Sequence, residues 1–385
     1  MKPLYRQVQP SMTMGLDQQA RELAAAGRNV INLTAGQVDL PMPEAGKEAV
    51  QEALKADQTG YVPATGSPKV KATVRARMGW EEGEVLISAG AKPLLNAAVA
   101  CICGPGDEVI LLAPCYTSYP EMVRLADGKP VVVLGDPVRD FIVSGAALER
   151  CVTDRTKAVL LNNPVNPTGA VYGPEALQEI ADVCKKHDLY LIADEVYSAF
   201  VYEGKFVSLY DLPNLRERLV LVNSASKTFA MAGLRLGYCV APQPVAKAMG
   251  AYLSHALGCP CSLSEQAALA VLAMDDSYEK EVKAVFRERR DLLFNALSSV
   301  DGWEIKKNAG AFYLWLDVSR WDDDVSFCEK LLSREGVALT PGSAFCCPGY
   351  VRLAYTKDRS ILLDAEARIK WFVKMYYSRS SGASN

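Results

Sequence analysis

The sequence predicts an α/β protein built on a mostly parallel sheet and followed by a smaller α+β unit, and three observations carry that reading. Apolar, β-rich runs alternate with helical patterns through the middle of the chain. Polar residues recur at the carboxyl ends of three of those runs, and the rhythm changes after about residue 270. Length agrees, because 385 residues, 50% of them hydrophobic, bury one large core plus a smaller one more readily than a single compact unit. The expected organisation is an N-terminal segment at 1–40 that packs with the small unit, a large unit at 41–270 and a small C-terminal unit at 271–385.

Taken in order, LDQQARELAAAG reads as a helix, and Pro41-Met42-Pro43 breaks the chain before the sheet region. The alternation then runs EVLISAG, KPLLNAAVACIC, DEVILLAP, SYPEMVRLA, KPVVVL, KAVLLNNP, PEALQEIADVCKKHD, LYLIADEVY, RLVLVNSAS and RLGYCVA. Such βαβ order places helices on both faces of the sheet. In open sheets of this kind the ligand crevice lies at the carboxyl ends of the strands. Ser88 to Lys92, Asp194, and Ser224 to Lys227 all sit at such ends, so one crevice collects them. Beyond residue 270 come the charged helix SYEKEVKAVFRERRDLLFNALSSV, then WEIKKN, the strand AFYLWLDV and a terminal helix, with a polar tail, SRSSGASN, expected to fray.

Composition removes several classes of function. A net charge of -3, from 42 basic and 45 acidic residues, leaves no electrostatic footprint for nucleic acid or an anionic membrane, so a small-molecule partner is expected. No secretory leader or membrane-length apolar run is visible, which predicts a cytoplasmic location. Eleven cysteines, in close pairs such as Cys101/Cys103, Cys259/Cys261 and Cys346/Cys347, lack C-x-x-C spacing and read as reduced, mostly buried thiols. With only His187 and His255, neither a His-rich metal site nor a Ser-His-Asp triad has material, and no metal is expected. Neither G-x-G-x-x-G nor G-x-x-x-x-G-K-[ST] occurs.

Chemistry gathers first at NSASKTFAMAGLRLGY, residues 223–238, where Lys227 sits among hydroxyls and small residues beyond a hydrophobic strand. A lysine amine forms imines with carbonyls once desolvation or a neighbouring cation lowers its pKa. Arg235 is such a cation, and with Ser224 and Ser226 it is placed to grip a phosphate. Alone, the segment reads more readily as a surface lysine in a Ser-rich loop. Asp194, at the sheet's carboxyl edge in LYLIADEVY, has no fold-building reason to be there, and a pyridine cofactor gives it one: a carboxylate keeps the ring nitrogen protonated, and the pyridinium withdraws electrons. Tyr197 is placed to reach the phenolic oxygen of the same ring, whereas Glu195 and Tyr202 read as packing or surface residues. In SAGAKPLL, Pro93 stands near the first turn of a helix, so the backbone N–H groups of Gly90, Ala91 and Lys92 are expected to face the crevice as a phosphate cradle.

Gly90-Ala91-Lys92, NNPVNPTG at 162–169, ADEVY at 193–197 and SASKTFAMAGLRLGY together resemble the class I aminotransferases of fold type I, within the aspartate aminotransferase family. The likeness runs from about Ser11 to the terminal helix, with the motifs in the family's order. It implies a fold type I architecture, whose large domain holds a mostly parallel seven-stranded sheet, and pyridoxal 5'-phosphate held as an imine on Lys227. The implied reaction moves an amino group between an L-amino acid, aspartate or another acidic or aromatic one, and a 2-oxo acid such as 2-oxoglutarate. Lys227 becomes the imine-forming residue and general base, Asp194 the pyridinium partner, and Asn166 and Tyr197 the pair on the phenolic oxygen, with Asn166 also near the substrate carboxylate. Ser224, Arg235, Ala91 and Lys92 match the phosphate site, and Tyr61 in GYVPATG resembles a tyrosine donated across a dimer interface, which implies a homodimer with shared active sites.

For substrate, the resemblance assigns Arg352 in YVRLAY to the α-carboxylate together with the backbone of Gly36, and Ser11, Thr13 and Lys92 to a distal carboxylate. Ser11 and Thr13 read equally as an N-cap pair before the helix that follows. The chain departs from the family where Tyr116 replaces the usual ring-stacking tryptophan, where Gln37-Val38 replaces Glu-Pro, and in a shorter segment after Arg77. All of these bear on specificity. The scaffold also hosts β-eliminating C–S lyases, which expel a β-substituent and leave the cofactor an aldehyde, and a non-catalytic cofactor-binding regulator is a third class. Retention of Arg352, Asn166 and Lys92 together favours amino transfer over the lyase, and retention of Lys227 disfavours the regulator.

Overall fold

A computed structural model describes residues 12–300 and 303–377. Strands β2 (Glu84–Ser88), β3 (Glu108–Ala113), β4 (Lys129–Leu134), β5 (Thr156–Asn162), β6 (Tyr190–Asp194), β7 (Leu219–Ser224) and β8 (Gly237–Ala241) form one sheet in the order β2-β8-β7-β6-β5-β3-β4. Every neighbouring pair is parallel except those of β8, which runs antiparallel to both β2 and β7.

Side-chain alternation divides the sheet between two cores. Val159, Leu161, Leu191 and Leu221 join one apolar cluster, while Ala158, Leu160, Ile192 and Val222 join another. Successive residues of a strand point to opposite faces, and helices cover both, so the inner strands are near-continuous apolar runs. The helix Pro174–Lys186 shows why these crossovers form where they do. Proline stands at its start, Glu175 lies in its first turn and Lys185 and Lys186 in its last, each favourable to the helix dipole. Leu221 is fully buried in the inner strand β7. Leu221→Ala is expected to lower unfolding stability by about 2–5 kcal/mol, read as a lower denaturant midpoint.

The chain after residue 272 builds a separate apolar cluster. Phe286 from the helix Ser277–Leu297, Leu314 from β9 (Tyr313–Asp317), Leu353 from β12 (Tyr350–Ala354) and Phe372 from the helix Arg359–Tyr376 pack there with Ile31, Leu33 and Val38. Strand β1 (Ile31–Asn32) pairs with β10 (Val337–Ala338), and β11 (Thr340–Pro341), β12 and β9 form a three-stranded antiparallel sheet. The N-terminal helix spans Met12–Ala25, so it begins before Leu16, and Thr13 lies inside it rather than ahead of it. Among the described residues no helix is long and apolar enough to cross a membrane.

Candidate active site

Strand register explains the crevice. Asn162 of β5 lies opposite Asp194 of β6, and Gly237 of β8 lies opposite both Ser224 of β7 and Ser88 of β2. The carboxyl ends of four strands therefore form one polar row, roofed by Thr34–Gly36 and by Tyr313 and Arg352 from β9 and β12. The crevice has a volume of about 340 Å³. It brings together Gly36, Ala91, Lys92, Tyr116, Asn166, Asp194, Tyr197, Ser224, Ser226, Lys227, Arg235 and Arg352 from the sequence-based set.

Lys227 Nζ, in the short helix after β7, donates to the Gly36 carbonyl at 2.5 Å. Burial lowers its pKa to about 8, and the cations Arg352 and Arg235 act in the same direction against the opposing charge of Asp194. Asp194 is held the other way. Burial raises its carboxyl to about 6, although Tyr119 Oη donates to Oδ2 at 2.6 Å and the Val196 N–H donates to Oδ1 at 3.3 Å. The Tyr197 and Tyr313 hydroxyls share a hydrogen bond of 2.8 Å, and burial holds the Tyr197 phenol well above its usual range.

Arg352 is buried, with Tyr313 and Phe345 rings 4.5 and 4.8 Å from its guanidinium carbon. Nη1 donates to Asn166 Oδ1 at 2.8 Å and Nη2 donates to the Thr34 carbonyl, while Nε has no partner among the described residues. With its oxygen on the arginine and its backbone N–H on Asn162 Oδ1 at 2.6 Å, Asn166 keeps its amide Nδ2 as the remaining donor.

After β7, Ser224 Oγ accepts from the Ser226 N–H at 2.9 Å and donates to the Leu236 carbonyl at 3.1 Å. Arg235, in a left-handed conformation with φ 54°, reaches the Ala89 carbonyl at 3.3 Å. Gly90 has φ 96°, and a Cβ there would strike the Arg235 guanidinium. One expectation is corrected here. Gly90 does not present its N–H to the crevice, because the turn folds it back onto the Ser88 carbonyl at 2.7 Å. The helix that begins at Ala91 supplies the first-turn amides instead.

Tyr61 is fully exposed and is not among the residues lining this crevice. Ser11 lies outside the described residues, as does the side chain of Thr13. Glu195 and Tyr202 are packing residues: the Glu195 carboxylate accepts from Ser208 Oγ and the Leu209 N–H, and Tyr202 Oη donates to the Ala311 carbonyl. Lys92 Nζ stands 5.4 Å from the Tyr116 ring centroid.

The sequence reading missed Tyr119, Tyr313, Thr34 and Asp17, all of which line the crevice. An aromatic in an apolar run reads as core, and a backbone carbonyl carries no residue signature. Tyr119→Phe leaves Asp194 Oδ2 without its phenol donor, and a hydrogen bond to a charged group contributes about 1.5–3 kcal/mol. Cofactor affinity is therefore expected to fall by about tenfold or more, measured by equilibrium titration of the cofactor-free protein.

An amine poised near neutrality, a buried carboxylate, a helix start free of Cβ crowding beside a guanidinium, and a spare buried arginine donor fit a phosphorylated pyridine aldehyde. Residues 28–365 match the model of the family described as aminotransferase class I and II, and the chain belongs to that family. It is a pyridoxal-phosphate-dependent aminotransferase. It is 37% identical over 381 residues to the aspartate/prephenate aminotransferase of Thermus thermophilus, covering 96% of this chain and 98% of that protein. It is 35% identical over 381 residues to the aspartate aminotransferase of Geobacillus stearothermophilus, covering 95% and 96%. The solved structure of the Thermus thermophilus aspartate aminotransferase with maleate superposes with a TM-score of 0.92 at 36% identity, covering 96% of this chain and 99% of that one.

Proposed function

We propose that this aminotransferase exchanges amino groups between aspartate-like amino acids and a 2-oxo acid such as 2-oxoglutarate. The observation that carries the reading is Arg352, a buried guanidinium with an unpartnered Nε and no carboxylate ion pair among the described residues. A buried cation without a counter-ion is costly, so the site is built for an anionic ligand, and the planar fork suits an α-carboxylate. Lys92 offers a second cation on the same crevice for a distal carboxylate. The maleate of the Thermus thermophilus structure, a dicarboxylate, supports the same class, as do relatives named aspartate and prephenate aminotransferases.

Bound pyridoxal phosphate supplies the carbonyl for imine chemistry and an electron sink for the substrate's Cα electrons. Lys227 Nζ would hold the cofactor and would move the proton at the substrate's Cα, a task open to an amine whose pKa burial lowers towards neutrality. Asp194 would hold the ring nitrogen, Tyr197 and the Asn166 amide Nδ2 would hold the phenolic oxygen, and Tyr116 would pack against the ring. Ser224, Ser226, Arg235 and the amides of Ala91 and Lys92 would grip the phosphate. Gly36 and Arg352 take the α-carboxylate, with Ser11 and Thr13 joining Lys92 at the distal end. Closeness at Gly36 supports its role, because a Cβ there would strike the Tyr313 hydroxyl.

The large body is proposed to span 41–270 and the small one 271–385, with 1–40 packing on the latter. The β1–β10 pairing and the shared cluster of Ile31, Leu33 and Phe372 support that division. A homodimer is proposed in which Tyr61 completes the phosphate site of a second copy, and the full exposure of Tyr61 supports that reading. Eleven unpaired thiols accord with a reducing, cytoplasmic location.

The test is an absorption spectrum of the holoenzyme during addition of L-aspartate, then 2-oxoglutarate, with L-tyrosine and L-cysteine in parallel. A long-wavelength band that moves to shorter wavelength with aspartate and returns with 2-oxoglutarate is expected. A band indifferent to aspartate, with pyruvate released from cysteine, would overturn the assignment.

A further inference from the structure

Two thiols with no part in the proposed reaction stand together next to Tyr116, which lines the crevice. Cys115 leaves the carboxyl end of β3 immediately before Tyr116 and is 2% exposed. Its backbone N–H donates to the Phe345 carbonyl at 3.1 Å, which brings it against the residue before Cys346. Cys346 adopts a left-handed conformation with φ 62°, remains partly exposed, and packs against the apolar cluster to which Cys115 belongs. The Cys115 and Cys346 thiols lie against each other, close enough for each to perturb the other.

We propose that Cys115 and Cys346 are an oxidation site at which hydrogen peroxide forms a disulfide between the β3 loop and the turn that leads into β12. The Cys346 thiolate attacks a peroxide oxygen, so an S–O bond forms, the O–O bond breaks and hydroxide leaves. Cys115 sulfur then attacks the Cys346 sulfenic acid: the S–S bond forms, the S–O bond breaks, and the Cys115 proton leaves with the hydroxyl as water. The two sulfurs are oxidised together by two electrons and the peroxide is reduced to hydroxide and water.

The order of attack follows from the surroundings. Cys346 is partly exposed where Cys115 is buried, and the adjacent Cys115 thiol, then Arg124, lower the Cys346 thiol against burial and Glu121, so Cys346 meets the peroxide first. Cys347 beside it is pushed to about 12 by burial, Asp324 and Asp317, and stays a thiol. Cys115, buried, stays protonated and resolves the sulfenic acid. The bond would tie the Tyr116 loop to the turn carrying Phe345, whose ring lies under Arg352.

The holoenzyme treated with one equivalent of hydrogen peroxide is mapped by non-reducing peptide mass spectrometry and thiol titration. A Cys115–Cys346 cross-linked peptide, a fall from eleven free thiols to nine, and reversal by dithiothreitol are expected. In Cys115→Ser the sulfenic acid at Cys346 is expected to persist and to be trapped by dimedone, which separates loss of the resolving thiol from misfolding. A Cys346–Cys347 bridge, first oxidation at the exposed Cys261, or eleven thiols remaining after treatment would overturn the assignment.

Discussion

Replacing Lys227 with alanine is expected to lower amino transfer by on the order of 10⁴-fold or more while leaving the fold intact, because one side chain is assigned two tasks. Its amine is proposed to hold the cofactor and to move the substrate's Cα proton, and among the described residues no other amine donates to the Gly36 carbonyl. Single-turnover amino transfer from L-aspartate measures the loss, and added methylamine is expected to recover part of it by standing in for the missing base. A residual rate within tenfold of the native one would remove Lys227 from the mechanism. The same residue gives the cofactor-free protein a pH signature. Its folded pKa of about 8 lies below the ordinary 10.5, so the unfolded chain binds more protons between those values and stability rises with pH across that window. Lys227→Met is expected to flatten the rise, read as unfolding midpoints measured from pH 7 to pH 10.

The residues that announced themselves in the sequence are those whose presence is costly without chemistry. A carboxylate at the end of an apolar strand, Asp194, and a lysine after another, Lys227, have no packing reason to exist, and both stand in the crevice. Strand alternation was legible for a similar reason, since two-sided burial writes apolar runs such as EVILLA and LVLVNS. The direction of β8 was not, because a strand buried on both faces carries the same pattern in either direction. Helices at Glu44–Lys55 and Pro68–Met78 were not read at all: the first has only two buried positions and the second little apolar periodicity to expose it. Tyr119 and Tyr313 escaped because their rings serve the core while their hydroxyls serve the site. Thr34 contributes a carbonyl, which every residue possesses.

Arg352→Lys is expected to reduce kcat/KM for L-aspartate by about 10²-fold or more, since breaking a buried charged contact costs about 2–5 kcal/mol. Charge is retained in that variant, so the loss isolates the fork. The native guanidinium spreads its donors over Asn166 Oδ1, the Thr34 carbonyl and a free Nε, whereas an ammonium cannot span that set in one plane. Part of any change would come from stranding those two oxygens rather than from substrate, which makes a second readout necessary. The ratio of rates for an L-amino acid and for the matching amine without an α-carboxylate separates the two. Native enzyme is expected to favour the amino acid strongly, and the variant to lose most of that preference while the amine reacts at a nearly unchanged rate. Equal losses for both compounds would mean that Arg352 braces Asn166 and the Thr34 segment without meeting the carboxylate. The position of Asn166 makes the first outcome the expected one. Its amide oxygen is already held by Arg352 and its backbone by Asn162, so the strand end at β5 keeps a second anchor when the guanidinium is shortened.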